Sequence, residues 1–296
     1  MRVLVTGSTG FIGNALVSAL EHRGDRVVRL GRGAATDERA TWDPDAGTIS
    51  SVALDGIDGV VHLAGEGIGE KKWTPEQKRR IRESRVKGTA LLARTLAERP
   101  TKPAVFISGS AIGYYGNRGD ELLDETSSSG DDFLADVCRQ WEAAAEPAAA
   151  AGVRLVTIRT GIVLHPSGGV LKSMLLPFRL GLGGRAASGR QWMSWIARAD
   201  AVGAILHALD HAALSGPVNL TAPNPATNAE LTKALGAAVH RPTVLPTPLF
   251  PLKLRFGSEL VETLLVSGQR VQPRRLQETG YEFAHPDLEP ALRAML

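Results

Sequence analysis

The first thirteen residues constrain the fold more than any other part of the sequence. Residues 3–5 are Val-Leu-Val, which predicts a buried strand, and residues 11–22 place apolar side chains at helical spacing. Between these segments, Gly7, Gly10 and Gly13 form the pattern G-x-x-G-x-x-G. Such glycines permit a tight turn, the approach of backbone to a pyrophosphate and close packing of helix on strand. The sequence therefore predicts a dinucleotide site at the start of a parallel sheet.

Two backbone segments are expected to contact this cofactor. In the turn, free N–H groups and the helix dipole favour an anion, and we expect contacts from Gly7, Thr9, Gly10, Phe11, Ile12 and Gly13. The second segment, Leu63-Ala64-Gly65, ends a later apolar strand and is small enough to pack against the ribose and pyrophosphate. His62 precedes it and is predicted to be a packed strand residue rather than a catalyst.

The cofactor type is predicted from the end of the second strand. A carboxylate at that position binds the adenosine ribose hydroxyls and indicates NAD. This chain has Gly31 followed by Arg32, and a guanidinium suits bidentate phosphate contact. The sequence therefore favours NADP(H) over NAD(H), with Arg29 as a possible neighbour of the phosphate.

The order of predicted elements indicates an α/β protein. Short apolar segments alternate with helical segments, which is typical of βαβ units. We predict a Rossmann-like doubly wound parallel sheet with helices on both faces, plus a smaller C-terminal α+β substrate domain. The Rossmann domain is expected to span 1–165, with 191–221 returning to it. Residues 166–190, predicted to be loops, and 222–296 are expected to cover the substrate.

Composition and charge exclude several classes of protein. The 296 residues carry a formal net charge of +3 and one cysteine, Cys138, which excludes an internal disulfide framework. No segment has the roughly 20 consecutive apolar residues of a membrane helix. Residues 71–87 hold eight basic residues, but Glu76 and Glu83 interrupt them. We expect a cytoplasmic protein that binds an unknown small-molecule substrate, with no nucleic acid and no membrane as partners.

A pair of histidines, His207 and His211, lies one helical turn apart. This spacing occurs in zinc sites, but no third ligand is evident, so no metal site is predicted.

Several motifs carry a resemblance to a known family. TGSTGFIG, HLAG and FISGSAIGYYG resemble the extended short-chain dehydrogenase/reductase superfamily. AGEGIGEKKWT, CRQWEAAA, LLPFRLGLGG and SGRQWMSWI are similar to one atypical branch, the NAD-dependent epimerase/dehydratase family with a DUF1731 C-terminal domain. The resemblance covers essentially the whole chain. It implies that Arg85 reaches the cofactor phosphates, that Ser108 and Val163 lie near the nicotinamide, and that the chain forms a homodimer.

The same resemblance exposes a missing acid/base pair. Members of the superfamily use a serine, matched here by Ser110, and a Tyr-x-x-x-Lys pair on the following helix. None of the three tyrosines is followed four residues later by lysine. Two registers of the helix are open, one placing Phe133 and Val137 at the pair and the other Leu134 and Cys138. In either register, both usual titrating groups are absent.

Two function hypotheses follow from this absence. In the first, the protein is an NADP(H)-dependent oxidoreductase or epimerase-like enzyme in which Ser110 positions the substrate oxygen. Tyr114 or Tyr115, which follow Ser110 closely, would then supply the proton. In the second, the protein binds NADP(H) without catalysis and acts as a sensor. Trp192 and Trp195 resemble a substrate-facing segment and suggest an apolar or ring-shaped substrate.

Overall fold

The first βαβ unit forms as the sequence predicts. The computed structural model describes residues 1–33 and 39–296. Strand β1 (Arg2–Thr6) leads through the glycine turn into helix α1 (Gly13–His22), and β2 (Arg26–Gly31) returns beside β1 in parallel.

The remaining elements follow in chain order. The other strands in the described residues are β3 (Arg39–Asp43), β4 (Thr48–Ile49), β5 (Gly59–His62), β6 (Val105–Ala111), β7 (Leu122–Leu123), β8 (Arg154–Thr160), β9 (Ile162–Leu164), β10 (Trp192–Met193), β11 (Trp195–Ala197), β12 (Gly216–Leu220), β13 (Ala226–Thr227) and β14 (Arg270–Val271). The other α-helices are α2 (Pro75–Glu98), α3 (Phe133–Ala143), α4 (Glu146–Ala150), α5 (Gly169–Arg179), α6 (Arg198–Asp210), α7 (Asn228–Ala238), α8 (Leu249–Phe256), α9 (Ser258–Val261), α10 (Arg274–Glu278) and α11 (Leu288–Met295). Short 3-10 turns span Ser51–Leu54 and Ile112–Tyr115, and a π-helical turn spans Glu262–Val266.

The main sheet has eight strands in the order β12-β8-β6-β5-β1-β2-β3-β4. Every neighbouring pair is parallel except the edge hairpin of β3 and β4. The strand order reverses between β1 and β5, and ligands of such sheets bind at the carboxyl ends beside this switch point. The predicted α/β fold is confirmed.

Three hydrophobic clusters divide the structure into layers. One face of the sheet packs against α1 and α6 through residues such as Leu16 and Ile205. The other face packs against α2 and α4 through residues such as Leu92 and Phe106. A third cluster joins α5, α7 and α11 with β10 and β11. The C-terminal helices therefore have a core of their own beside the sheet.

The prediction that residues 166–190 are loops throughout is wrong. Helix α5 occupies Gly169–Arg179, and its Leu171, Leu175 and Phe178 are buried at helical spacing. Glycines and Pro177 obscure this pattern in the sequence, because both residues normally weaken helices. Burial of one apolar face outweighs their unfavourable propensity.

Backbone atoms pack so closely around the glycine turn that Gly7 and Gly13 have no room for a Cβ atom. Gly7 has φ +66°, and a Cβ atom there would lie 2.8 Å from the carbonyl carbon of Leu63. A Cβ atom on Gly13 would lie 2.1 Å from Gly7 O. Contacts this short force the backbone to move, so the turn and the start of α1 require glycine.

Substitution of Gly13 tests this packing. We expect Gly13→Ala to lower the free energy of unfolding by about 3 kcal/mol, because the added methyl group overpacks rigid backbone. Gly24→Ala is the control, since Gly24 has a φ of +86°, which Gly13 does not share, but nothing lies within 4 Å of its Cβ position. The control should cost about 1 kcal/mol. Equal urea midpoints for the two variants would contradict the packing argument.

Candidate functional site

The turn between β1 and α1 has free hydrogen-bond donors. Gly10 N donates to Gly7 O at 2.9 Å, which closes the turn. Ile12 precedes α1, and no side chain caps that end of the helix. Uncapped N–H groups at a helix N-terminus are suited to an anion. Together with the space left by the missing Cβ atoms, the turn fits the pyrophosphate of a dinucleotide.

The end of β2 presents a cation rather than a carboxylate. Arg32 directly follows β2 and is exposed. Arg29, on the strand, forms an ion pair with Glu21 at 2.7 Å and so is already engaged in this structure. The contact between Arg32 and a cofactor phosphate stays a prediction.

His62 is a structural residue. Its side chain is completely buried, with Nδ1 2.6 Å from Thr6 Oγ1 and Nε2 3.0 Å from Thr89 Oγ1. Burial lowers the pKa of His62 from 6.5 to about 3. Thr6 Oγ1 also accepts from the backbone N–H groups of Leu63 and Ala64 at 3.2 and 3.3 Å. The neutral imidazole therefore fixes the segment that packs against the glycine turn.

Arg85 lies beside this segment, and its guanidinium donates to backbone carbonyls of the protein itself. Its Nη1 donates to the backbone carbonyls of Glu66 and Ile81 at 2.9 and 3.0 Å. Its guanidinium carbon lies 5.0 Å from the ring centroid of Trp141. The contact between Arg85 and cofactor phosphates stays a prediction.

A cavity of about 170 Å³ opens next to Arg85, between the sheet and the C-terminal segment. Its walls are mainly apolar and include Leu134, Ile162, Met193 and Leu264. A larger cavity of about 590 Å³ is lined by residues of α5, α7 and α11. None of the predicted site residues lines the larger cavity, so we assign the candidate site to the smaller one.

The two registers of α3 differ in how many of their residues reach the cavity. Leu134 and Cys138 both line it, whereas in the other register Val137 lines it and Phe133 packs on Trp73 with ring centroids 5.2 Å apart. Only Leu134 and Cys138 therefore form a pair of which both members line the cavity. Burial raises the pKa of Cys138 to about 12, so its thiol stays protonated and Cys138 is a packing residue.

Ser110 is anchored by a carboxylate that the sequence did not single out. Its Oγ donates to Glu142 Oε1 at 2.6 Å, and Arg159 holds both oxygens of Glu142 at 2.9 Å. Ser110 is 4% exposed and does not itself line the cavity, whereas Ala111 and Cys138 next to it do. These groups come from β6, α3 and β8, which is why spacing in the sequence gives no sign of them.

Tyr115 is placed where it cannot act as a proton donor to a substrate. It is completely buried, and its hydroxyl donates to Asn219 Oδ1 at 2.7 Å. Burial raises the pKa of Tyr115 to about 12. The expectation for Tyr115 is therefore corrected, because the hydroxyl serves the network around Arg159. The Tyr114 ring lies 3.5 Å from the Arg159 guanidinium carbon and does not line the cavity.

Four further residues named from the sequence lie in different surroundings. Ser108 is completely buried on β6, and Val163 is 9% exposed in the core cluster that includes α1. Ile162, the neighbour of Val163, lines the cavity instead. Trp192 also lines the cavity and donates to Asp120 at 2.8 Å, whereas Trp195 is completely buried. The nicotinamide contacts of Ser108 and Val163 stay predictions.

Two family models match the chain. The family model described as NAD dependent epimerase/dehydratase family matches residues 3–220, and a domain of unknown function, DUF1731, matches residues 247–295. The chain belongs to the NAD dependent epimerase/dehydratase family. Its cofactor fold is a Rossmann-like NAD(P)-binding fold of the extended short-chain dehydrogenase type. The resemblance inferred from the motifs is confirmed.

Relatives match over the whole chain. It is 44% identical over 291 residues to the epimerase family protein Mb2239 of Mycobacterium bovis, covering 98% of this chain and 96% of that protein. The crystal structure of the human epimerase family protein SDR39U1 (isoform 2) with NADPH has TM-score 0.91 and 38% identity, over 100% and 99% of the two chains. A nucleoside-diphosphate sugar epimerase from Corynebacterium glutamicum has TM-score 0.84 and 39% identity, over 100% of this chain and 58% of that one.

More distant structures share the fold alone. The UDP-glucose 4-epimerase of Thermotoga maritima, solved with UDP-glucose, has TM-score 0.77 and 19% identity, over 100% of this chain and 97% of that one. Identity at this level carries no argument about the substrate of this chain.

The pH dependence of stability tests the burial of His62. Its pKa is about 3 in the folded state and 6.5 ordinarily, so the unfolded chain binds the proton first as pH falls. The contribution of neutral His62 to the free energy of unfolding is therefore fully present above pH 6.5. It falls by about 1.4 kcal/mol for each pH unit between 6.5 and 3. Urea unfolding of His62→Gln should therefore show a shallower acid slope than the wild type. The same slope in both proteins would show that His62 is not buried neutral.

Removal of Glu142 tests the network behind Ser110. Glu142→Ala leaves Arg159 buried without its partner, and we expect a loss of about 3–5 kcal/mol in the free energy of unfolding. Glu83→Ala is a suitable control, because Glu83 pairs with Arg79 and Lys87 on the exposed face of α2. The control should change stability much less. A Glu142 variant as stable as the control would mean that the network is not formed.

Proposed function

We propose that the chain binds NADP(H) in preference to NAD(H) and exchanges hydride with a small substrate in the cavity beside Ser110. The observation that carries the proposal is the glycine turn together with Arg32, rather than a carboxylate, directly after β2. The human relative solved with NADPH, 38% identical over its length, supports the same cofactor. When bound, this cofactor supplies or accepts a hydride.

The protein's own groups would bind and orient the two ligands. The turn at residues 7–13 would bind the pyrophosphate through N–H groups, and Arg32 would bind the adenosine 2′-phosphate. The apolar walls around Leu134 and Ile162 would exclude water from the substrate. The lining also contains Arg85, but this guanidinium already donates to two backbone carbonyls.

Ser110 would accept a hydrogen bond from the substrate oxygen rather than donate one to it. A carboxylate only accepts hydrogen bonds, so the Ser110 proton points to Glu142 and the free lone pairs of Oγ remain for another donor. This arrangement suits a substrate hydroxyl, whose proton would pass to Ser110 as the Ser110 proton passes to Glu142. Ser110 and Glu142 would then act in place of the missing Tyr/Lys pair.

A second candidate is a non-catalytic NADP(H) sensor. The observation that favours it is the presence of Leu134 and Cys138, neither of them ionised, in the wall where a proton would be exchanged. The sensor would share the cofactor site and differ only in turnover. Screening alcohols and carbonyl compounds with the NADP(H)-bound protein separates the two candidates, because a sensor leaves the cofactor absorbance unchanged.

Cofactor titration tests the shared part of both candidates. NADPH fluorescence should report tighter binding than NADH. Arg32→Ala should weaken NADPH binding roughly 10- to 100-fold, as hydrogen bonds to charged groups contribute about 1.5–3 kcal/mol. Binding of NADH should change little. Arg26→Ala, at the exposed start of β2, is the matched control and should leave both affinities unchanged. Preference for NADH in the wild type would refute the assignment of Arg32.

A further inference from the structure

Most of the strongly exposed apolar side chains lie on two neighbouring surface segments. We call this surface the apolar patch, and it consists of Leu176, Leu180, Leu182, Val244, Leu245, Phe250 and Leu254. Phe250 is 78% exposed and Leu254 76%, one helical turn apart on α8. Helix α8 buries none of its residues. Exposed apolar side chains grouped in this way mark a contact surface more often than scattered ones do.

Backbone contacts join the two segments into one surface. Thr247 donates from N to Arg185 O at 2.9 Å and from Oγ1 to Gly184 O at 2.7 Å. Nearer the end of α5, Arg241 Nε donates to Arg179 O at 2.9 Å. The exposed leucines that end α5 therefore lie beside the segment that leads into α8.

The charge of these segments has one sign. Residues 166–190 contain four basic residues and residues 241–257 contain three, and neither range contains an aspartate or glutamate. An acidic group from outside these ranges, Glu262, pairs with Lys253 at 2.5 Å. Exposed Phe and Leu side chains suit an apolar layer, and neighbouring Lys and Arg side chains suit negative charges at the surface of that layer.

We propose that the apolar patch docks the protein on the surface of a lipid bilayer that contains anionic lipids. Phe250, Leu254 and the three exposed leucines Leu176, Leu180 and Leu182 enter the headgroup boundary, and the basic side chains contact the lipid phosphates. In the described residues no helix is long and apolar enough to cross a membrane. The π-helical turn after α9 places Thr263 and Leu264 in the wall of the candidate site, so the docked face continues into the segment that covers that cavity.

Vesicle flotation tests this proposal with the full chain. The protein should float with vesicles of phosphatidylcholine and phosphatidylglycerol, float much less with phosphatidylcholine alone, and be released by high salt. Phe250→Ser/Leu254→Ser should abolish flotation. Lys253→Gln/Arg255→Gln should weaken it roughly fivefold for each charge removed. Leu122→Ser and Lys102→Gln are controls, because both residues are exposed outside the patch, and they should float like the wild type.

Three results would overturn the proposal. One is a wild-type protein that stays with the unbound fraction at low salt, and another is flotation that survives Phe250→Ser/Leu254→Ser. The third is a dimer in sedimentation equilibrium that this double variant converts to a monomer, since the patch would then bind a second copy of the chain. Circular dichroism and NADPH affinity of the variants should match the wild type, which separates loss of docking from loss of folding and from failure of the proposed function.

Discussion

The approach of the glycine turn to the backbone after β5 determines the geometry of the whole cofactor site. A Cβ atom on Gly7 would clash with the backbone of Leu63 and Ala64, and a Cβ atom on Gly13 would clash with the backbone of Gly7. The buried contact between His62 and Thr6 holds the backbone after β5 in place against the turn. Because both sides are backbone, the turn keeps its N–H groups available for a phosphate.

A second buried assembly supports the substrate side of the site. Arg159, on β8, donates to the carboxylate of Glu142 and, at 3.1 Å, to the hydroxyl of Tyr115. It thereby joins α3 to β8, the neighbour of the strand that carries Ser110. This network gives Tyr115 a structural role. It also places a carboxylate directly behind the serine, on the helix that lacks the usual tyrosine and lysine. The helix without the Tyr/Lys pair is thus the helix that supplies Glu142 to Ser110.

The sequence predicted the parts that depend on local pattern. The strand–turn–helix unit could be read from three glycines and two apolar segments. Contacts between distant segments left no such pattern. Glu142 and Arg159 meet only because α3 packs on the sheet. The register of α3 stayed open in the sequence because both alternatives are apolar or thiol, and only packing of Phe133 on Trp73 distinguishes them.

The central claim is that an intact NADP(H) site adjoins a cavity whose usual acid/base pair has been replaced. A crystal structure of the chain with NADPH tests it most directly. The account predicts the pyrophosphate on the N–H groups of residues 9–13 and the 2′-phosphate at Arg32. It also predicts the nicotinamide at the edge of the cavity that Leu134 and Ile162 line. A dinucleotide bound away from the glycine turn, or a 2′-phosphate out of reach of Arg32, would contradict the account.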